Sequence, residues 1–385
     1  MNLKNEYAQS GVDYSLMEPF KMAMIEAGKK TLAFPNKRGV YVVKDAIHAH
    51  GAVYEYRARA SLKLRRANGL LEQPIWCKTQ EDLGTKNWIA EWMYMNTGKS
   101  YYDAIAQDVA LIVVNDVIAQ GAMPVIFTDQ VESGEASWYG DKKRAQDFAD
   151  GFVKVCKEVG MALPAGESAT LKYLIKSEPP VKAAPSLSGS VTGIIAPRSR
   201  LITGKKLKSG DRIIGVTSSG LHANGVSLVI KKGIELPEQF LTKLPSGETF
   251  GEVALTPTRS YVKLIEKLLE EEIDIHTLLP GTGDGVGKIA FDKRPFTYRI
   301  KSWPEVPEFF KYFNTTLGVS LVDCLKTFNW GIGYYIFVPA KEVNRVMDIG
   351  KALSFKLYDL GVVESGKRQT IFKPEGITLP PPGEY

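Results

Sequence analysis

The sequence predicts a two-domain protein of the mixed α+β class. A chain of 385 residues is long for a single hydrophobic core, so two domains are expected. Each half combines short strand-like apolar runs with longer segments of helical periodicity, without a regular βαβ alternation. Pro197-Arg-Ser-Arg200 marks the expected boundary, which gives an N-terminal domain, 1–196, and a C-terminal α/β domain, 197–385.

The N-terminal half is predicted to contain three helices and a set of strands. The helices are expected over 17–27, 103–120 and 141–160, the first and last ending at glycines. A polar, Pro-containing segment over 171–185 predicts an exposed loop. Apolar runs predict strands over 31–34, 40–43, 52–56, 74–78, 124–129 and 187–195, and a strand that runs into a loop over 161–169.

The helix over 103–120 is the most informative segment of this half. It has no internal Gly or Pro, and Gly121 and Pro124 end it. Val109–Val114 is apolar all the way round, which is typical of a buried helix. Asp108 and Asn115, seven residues apart, share one face, and Asp116 lies beside it. Because buried carboxylates are costly unless paired, the alternatives are ion pairs with Lys or Arg and metal binding.

The C-terminal half repeats the mixture of strands and helices. Strands are predicted over 213–216 and 334–338, and a C-terminal tail over 379–385. A Gly-punctuated turn over 218–225 precedes a short helix. Helices are predicted over 226–232, 256–272, 306–315 and 342–353.

Composition excludes several classes of protein. The net charge of +6 is spread thinly, so it does not indicate a nucleic-acid partner, and a phosphorylated small molecule explains it equally well. Three separated cysteines without a CxxC motif predict a reducing compartment and no zinc site. No apolar run reaches membrane-spanning length and the N-terminus lacks a signal-like apolar segment. We therefore expect a cytoplasmic protein without a membrane partner.

Acidic residues and Gly-rich turns form the candidate site. Carboxylates outside the central helix are expected in loops that follow apolar runs, where they would suit Mg²⁺ bound together with substrate phosphates. An acid of this kind taken alone is more often a solvated surface residue than a catalytic one. The acidic set comprises Glu81, Asp82, Asp108, Asp116, Asp129 and Glu167.

Two Gly-rich segments could approach a phosphate. The turn Ser218-Ser-Gly-Leu-His-Ala-Asn-Gly225 offers backbone N–H groups at a helix start, although an ordinary turn is equally consistent with it. The segment 281–288 fails as a Walker A motif, because Thr282 and Ile289 occupy positions that need Gly and a hydroxyl residue. Four histidines and no GxSxG motif give little support to nucleophilic catalysis, and His222 alone lies in a motif-like setting.

Five segments spread along the chain have the character of family motifs. They are YAQSGVD at 7–13, DVALIVVNDVIAQGAMP at 108–124, SSGLHANGVSL at 218–228, PTRSYVK at 257–263 and TFNWGIG at 327–333. Together these segments resemble the phosphoribosylformylglycinamidine cyclo-ligases, also called aminoimidazole ribonucleotide synthetases. Their order and spacing agree with that family over nearly the whole chain.

Three segments depart from the family pattern at the expected active site. The family's TDGVGTK is replaced by QEDLGTK, so its Asp corresponds to Glu81 and the following Gly to Asp82. GGETAE becomes AGESAT, which keeps Glu167 and loses the second acid. TGGG becomes TGDG, which introduces Asp284. These departures leave the substrate less well defined than the ATP chemistry.

The resemblance implies a fold, a reaction and a set of roles. It implies a two-domain ATP-binding synthetase that dimerises through its N-terminal sheets and uses ATP and Mg²⁺ to close an imidazole ring on a phosphorylated substrate. Metal binding would fall to Glu81, Asp108, Asp116 and Glu167; catalysis to Lys86, His222 and Asn224; and ATP or substrate binding to Thr85, Asn115, Ser218, Ser219, Gly220 and Asp284. Lys86 and Thr85 would contact phosphate. The alternatives are another ATP-dependent kinase or synthetase of the same fold and a degenerate homologue that only binds ATP.

Overall fold

The computed structural model describes residues 12–43, 53–57 and 73–383, and these form two compact units. Unit 1 runs to Val117 and continues over Met123–Ser199, whereas unit 2 combines Ile118–Ala122 with the chain from Arg200 onward. Both units mix helices and strands, so the predicted α+β class is confirmed. Most of the segment 7–13 lies outside the described residues, as do His48, His50 and the end of the predicted C-terminal tail.

Unit 1 contains a four-stranded sheet, a separate pair of short strands, and helices. In the four-stranded sheet the strand order is β3-β6-β4-β5, with β4 and β5 parallel and the other neighbours antiparallel. The helices are α1 (Tyr14–Thr31), α2 (Lys86–Thr97), α3 (Tyr102–Val117) and α4 (Lys142–Val159). The strands are β1 (Val40–Val42), β2 (Tyr54–Tyr56), β3 (Ile75–Asp82), β4 (Met123–Ser133), β5 (Ala162–Thr170) and β6 (Ser186–Ile195).

Aromatic rings join the helices of unit 1. Phe20 of α1 and Tyr102 of α3 each lie 5.6 Å from the ring of Trp138, edge to face. Phe148 of α4 packs against Tyr102 at 5.7 Å. Offset and edge-to-face pairs of this kind add to the free energy gained from burying large apolar surfaces. Helix α4 begins at its N-cap Asp141, whose carboxylate accepts from the Arg144 N–H at 2.9 Å.

Unit 2 contains a seven-stranded sheet with the order β13-β12-β9-β11-β7-β10-β8. All of its neighbours pair antiparallel except β12 and β9, and every residue of β10 is buried. The strands are β7 (Arg212–Thr217), β8 (Thr277–Pro280), β9 (Phe296–Ile300), β10 (Ile332–Val338), β11 (Leu357–Ser365), β12 (Gln369–Phe372) and β13 (Ile377–Leu379). The helices are α5 (Val226–Glu235), α6 (Phe250–Ala254), α7 (Val262–Glu270), α8 (Glu308–Thr315), α9 (Leu321–Thr327) and α10 (Val343–Ala352).

Long periodic segments agree with the sequence predictions, and short apolar runs agree less well. The central helix, the helix over 141–160 and the strand over 187–195 are confirmed. The strand over 31–34 is wrong, because α1 continues to Thr31 and a 3-10 helix follows over Phe34–Arg38. Helix α2 was not predicted. In the part of the chain that the structure describes, no helix is long and apolar enough to cross a membrane.

Arg38 joins three parts of unit 1 through its guanidinium group. Its Nη1 donates to the carbonyl oxygens of Pro124 at 2.7 Å, Val159 at 2.6 Å and Gly160 at 3.0 Å. The residue is 7% exposed, so these bonds form away from water. A buried carbonyl left without a donor costs about 1–3 kcal/mol. Arg38 therefore anchors the segment after α1 to β4 and to the end of α4.

We expect Arg38→Met to lower the free energy of unfolding by about 3 kcal/mol or more, because buried carbonyls lose their charged donor. Urea denaturation followed by circular dichroism measures the change. Arg57→Met is the matched control, since Arg57 forms an exposed pair with Glu55 and should leave the denaturation midpoint unchanged. Equal midpoints for the two variants would contradict the anchoring role of Arg38.

Candidate functional site

Two adjacent rows of the four-stranded sheet carry most of the predicted acids of unit 1. The first row contains, from β3 to β5, Glu81, Gly189, Asp129 and Gly166. The second row contains Asp82, Ser188, Gln130 and Glu167. Glu81 and Glu167 were expected in loops and Asp129 at the end of a strand, but all three lie within strands.

Side chains in one row of a sheet share a face, and the next row points to the opposite face. A Cβ on Gly189 would lie 3.1 Å from the Val109 carbonyl oxygen, so the first row faces helix α3. Glu81 and Asp129 therefore project toward the helix-covered face, whereas Glu167 projects from the other. The sequence could not reveal this separation, because it depends on strand register.

The four predicted metal ligands do not converge on one point. Within residues 12–43, 53–57 and 73–383, no group of three or more His, Cys, Asp or Glu side chains is placed to hold a metal ion. Glu81 and Glu167 lie on opposite faces of the sheet, and Asp108 and Asp116 lie on α3. Their metal-binding roles remain predictions, and they would act separately rather than as one protein-built cage.

Lys86 and Asp108 form a fully buried ion pair. Lys86 Nζ lies 2.7 Å from Asp108 Oδ2, and both side chains are 0% exposed. Burial lowers the pKa of Lys86, while the charge of Asp108 and their hydrogen bond oppose that shift. Of the two alternatives predicted from the sequence for Asp108, an ion pair or metal binding, the structure therefore contains the ion pair. The predicted contacts of Lys86 with phosphate and of Asp108 with metal remain predictions, and they would require this pair to open.

The other predicted residues near this pair differ in exposure. Thr85 is the exposed N-cap position of α2, directly before Lys86. On α3, Asn115 is buried and Asp116 is half-buried. The altered residue Asp82 has a local role, because its carboxylate accepts from the Gly84 N–H at 2.7 Å and from Ser186 Oγ at 2.9 Å.

In unit 2, the turn before α5 is fastened by Asn329. The Asn329 side chain donates to the Gly220 carbonyl at 2.9 Å and accepts from Ser218 Oγ at 3.1 Å. Asn329 is 3% exposed. On the other side of the turn, Ser219 Oγ donates to the Pro257 carbonyl at 2.7 Å. The sequence match over 327–333 contained Asn329, but its residue type alone did not predict this positioning role.

His222 and Asn224 occupy different environments in that turn. His222 is 1% exposed and has a left-handed backbone with φ 59°. A Cβ on Gly333 would lie 2.4 Å from His222 Cε1, so glycine permits the imidazole to pack there. Asn224 is half-buried, one residue before the α5 N-cap Gly225. The structure thus places the Asn224 side chain at the surface of unit 2 and the His222 ring inside it.

Asp284 lies in a compact loop of unit 2. It has a left-handed backbone, φ 51°, and precedes a 3-10 helix over Gly285–Ala290. The Lys288 ammonium group donates to the carbonyl and, at 3.2 Å, to Oγ1 of Thr282. This lysine stabilises its own loop. The predicted substrate contact of Asp284 remains a prediction.

Comparison with known proteins gives matches over nearly the whole chain. The models for the N-terminal and C-terminal domains of AIR synthase related proteins match residues 87–195 and 208–373. The chain is 30% identical over 375 residues to the phosphoribosylformylglycinamidine cyclo-ligase of Fusobacterium nucleatum, covering 96% of this chain and 99% of that protein. It is 30% identical over 374 residues to the Pyrococcus horikoshii protein of the same name, covering 97% and 99%.

Solved structures agree at the level of the fold. A hydrogenase maturation protein HypE superposes with a TM-score of 0.59 at 16% identity, covering 89% of this chain and 98% of that one. The thiamine-monophosphate kinase of Stenotrophomonas maltophilia gives 0.57 at 17% identity, covering 90% and 94%. Identity at this level supports a shared fold alone. The sequence comparisons go further, and the chain belongs to the family of AIR synthase related proteins, together with the phosphoribosylformylglycinamidine cyclo-ligases.

Proposed function

We propose that this chain is an ATP-dependent cyclo-ligase of purine biosynthesis, which converts formylglycinamidine ribonucleotide to aminoimidazole ribonucleotide, ADP and phosphate. The observation that carries the proposal is the similarity to proteins named phosphoribosylformylglycinamidine cyclo-ligase, which extends over 99% of two of them. A match of this extent includes both units, so it supports the activity of the whole enzyme rather than of one domain.

The reaction needs two bond exchanges on one substrate. The formyl amide oxygen attacks the γ-phosphorus of ATP, and ADP leaves. The amidine nitrogen then attacks the activated carbon, its proton is lost, and phosphate leaves as the ring closes. Catalysis of such a sequence depends on holding the reacting groups close and on stabilising the charge of the transferring phosphoryl group.

The acidic residues are compatible with Mg²⁺ bound largely through ATP. Mg²⁺ commonly takes one or two carboxylates together with substrate phosphates and water, so separate acids suffice. We assign Glu81, Asp116 and Glu167 to this role, with Asp108 acting through its pair with Lys86. When bound, the metal would neutralise the charge of the triphosphate.

The backbone of the turn over 218–225 is assigned to a phosphate group of the nucleotide substrates. Free N–H groups at the start of α5 and the helix dipole favour an anion there. The hydrogen bonds of Asn329 support the assignment, because they keep Ser218 and Gly220 in one conformation. The half-buried side chain of Asn224 can contact the same ligand.

Homodimerisation through the N-terminal sheet is part of the proposal. Among the described residues, β3 is an edge strand paired with β6 alone, and Trp76 on β3 is 42% exposed. Its indole packs beside Tyr54 at 6.1 Å, so the edge presents an apolar surface to a second copy. Sedimentation equilibrium should give twice the mass of the chain.

Cytoplasmic location remains a prediction, which cell fractionation would check.

The activity is tested directly with purified protein, formylglycinamidine ribonucleotide, ATP and Mg²⁺. We expect aminoimidazole ribonucleotide and ADP to form in equal amounts. ATP binding without product would favour a degenerate homologue. ATP consumption that requires another acceptor would favour a kinase or synthetase of the same fold, and either result would reject the proposed reaction.

Variants of the Lys86–Asp108 pair distinguish a catalytic role of these residues from a purely structural one. We expect Asp108→Asn to abolish turnover and also to destabilise unit 1 by about 3–5 kcal/mol, because it leaves the buried ammonium group without its counter-ion. Thermal unfolding and steady-state turnover are measured on the same preparations.

The double variant Lys86→Met/Asp108→Leu provides the control. Apolar residues of similar size can replace a buried ion pair without loss of stability. We expect the double variant to fold like the wild type and to lack turnover. A folded double variant with full turnover would show that the pair is structural only and would remove both residues from the site.

A further inference from the structure

A cavity of about 230 Å³ lies in unit 1 beside helix α1 and strand β5. Its walls include Lys21, Met24 and Ile25 of α1, the β5 segment 163–168, and Asp129 of β4. A cavity of this volume has room for several waters or for a small planar group. The described residues of unit 2 do not contribute to its lining.

Asp129 is the buried polar group of this cavity. The residue is 6% exposed, and in the described part of the chain its carboxyl accepts from its own backbone N–H and from no side chain. Burial, with a smaller contribution from the negative charge of Glu167, raises the pKa of Asp129 to about 7. The ionised form of a carboxyl group buried in this way is stabilised by a cation that enters the cavity.

The two lysines of the cavity wall have other contacts. Lys29 Nζ lies 2.6 Å from Glu26, and Lys21 Nζ lies over the Tyr14 ring at 5.6 Å from its centroid. In the described structure, neither lysine forms an ion pair with Asp129. The cavity therefore combines cations at its wall with an acid that lacks a counter-ion among the described residues.

Glycine at position 166 makes space for the Asp129 carboxyl. A Cβ on Gly166 would lie 2.1 Å from Asp129 Oδ1, which no side chain can tolerate without displacing the carboxyl. Gly28 has a similar effect on the cavity wall, since a Cβ there would lie 2.5 Å from the Leu163 carbonyl oxygen. The close approach of α1 to β5 and the position of the acid both depend on these glycines.

The chemistry of the cavity selects a class of ligand. A carboxylate pairs best with a planar cation that offers two parallel N–H groups, which is the geometry of an amidinium or guanidinium group. A Mg²⁺ ion without phosphates fits less well. Glu167, the other acid of the lining, projects from the opposite face of the sheet, and among the described residues no third His, Cys, Asp or Glu side chain joins them.

We propose that this cavity is a subsite for an amidinium group and that Asp129 is the carboxylate that binds it. The proposal rests on the proposed function, since the named relatives act on a formylglycinamidine, and an amidine is the group that such a substrate would present. Asp129 would thus fix the orientation of the amidine, and its carboxylate would take up the proton that the attacking nitrogen loses as the ring closes.

Acetamidinium chloride is the probe for this subsite, with tetramethylammonium chloride as a cation that cannot donate N–H bonds. Saturation-transfer NMR titrations on the whole chain should show saturable acetamidinium binding that Asp129→Asn weakens about tenfold or more. Gly166→Ala, which displaces the carboxyl without removing it, should weaken binding similarly. Asp147→Asn is the matched control, since Asp147 forms a surface pair with Lys143 on α4. Circular dichroism confirms that each variant is folded.

Equal acetamidinium affinity in the wild type and Asp129→Asn would overturn the proposal, as would tetramethylammonium binding equally well. Displacement of acetamidinium by Mg²⁺ alone, dependent on Asp129, would identify a metal site instead and would also overturn it. The probe titration does not require turnover, so it tests the subsite even if the proposed reaction fails.

If turnover is present, Asp129→Asn should raise the KM for formylglycinamidine ribonucleotide about tenfold or more and leave the KM for ATP unchanged. An unchanged KM for that substrate would reject the subsite and leave the reaction standing.

Discussion

Burial of charge is the constraint on which unit 1 depends. Its central helix α3 is apolar nearly all round and is covered by other elements, so each charged group near it needs a partner within the protein. Lys86 and Asp108 satisfy each other at 2.7 Å, and Arg38 satisfies three backbone carbonyls. These contacts fix the start of α2 against α3 and the segment after α1 against β4.

The buried carboxylate of Glu91 also has partners within the protein, and they include both neutral and charged donors. One carboxylate oxygen accepts from Tyr102 Oη and from Trp138 Nε1, each at 2.6 Å, and lies 3.2 Å from Arg144 Nε. The Arg144 guanidinium also lies 4.9 Å from the Trp138 ring centroid. Partial loss of such a network would leave a buried group without a partner, so its members stabilise the helices as a unit. Asp129 differs from all of these groups, because its carboxyl has no such set of donors.

The sequence predicted those features that depend on local pattern. The helix over 103–120 followed from an uninterrupted apolar run with Gly121 after it, and its buried polar residues were recognised as needing partners. Lys86 was predicted to contact phosphate, and nothing in the sequence indicated that it would reach Asp108, because the two are brought together only by the packing of α2 on α3. Helix α2 itself was missed, since its first residue belongs to the segment QEDLGTK, which was matched to a family motif and given no secondary structure.

Strand register explains why the acidic residues were harder to place. A side chain changes face with every residue along a strand, so the one-row offset between Asp129 and Glu167 places their side chains on opposite faces. A sequence without register can count these acids but cannot assign them to one site. The separation of these acids favours a ligand that can contact several of them at once. A polyphosphate nucleotide with its metal is such a ligand, because the phosphate oxygens supply most of the coordination of the metal. The same sheet can thus serve a metal–nucleotide ligand through Glu81 and Glu167 and hold a buried carboxylate for a nitrogen cation at Asp129, with no protein-built metal cage among the described residues.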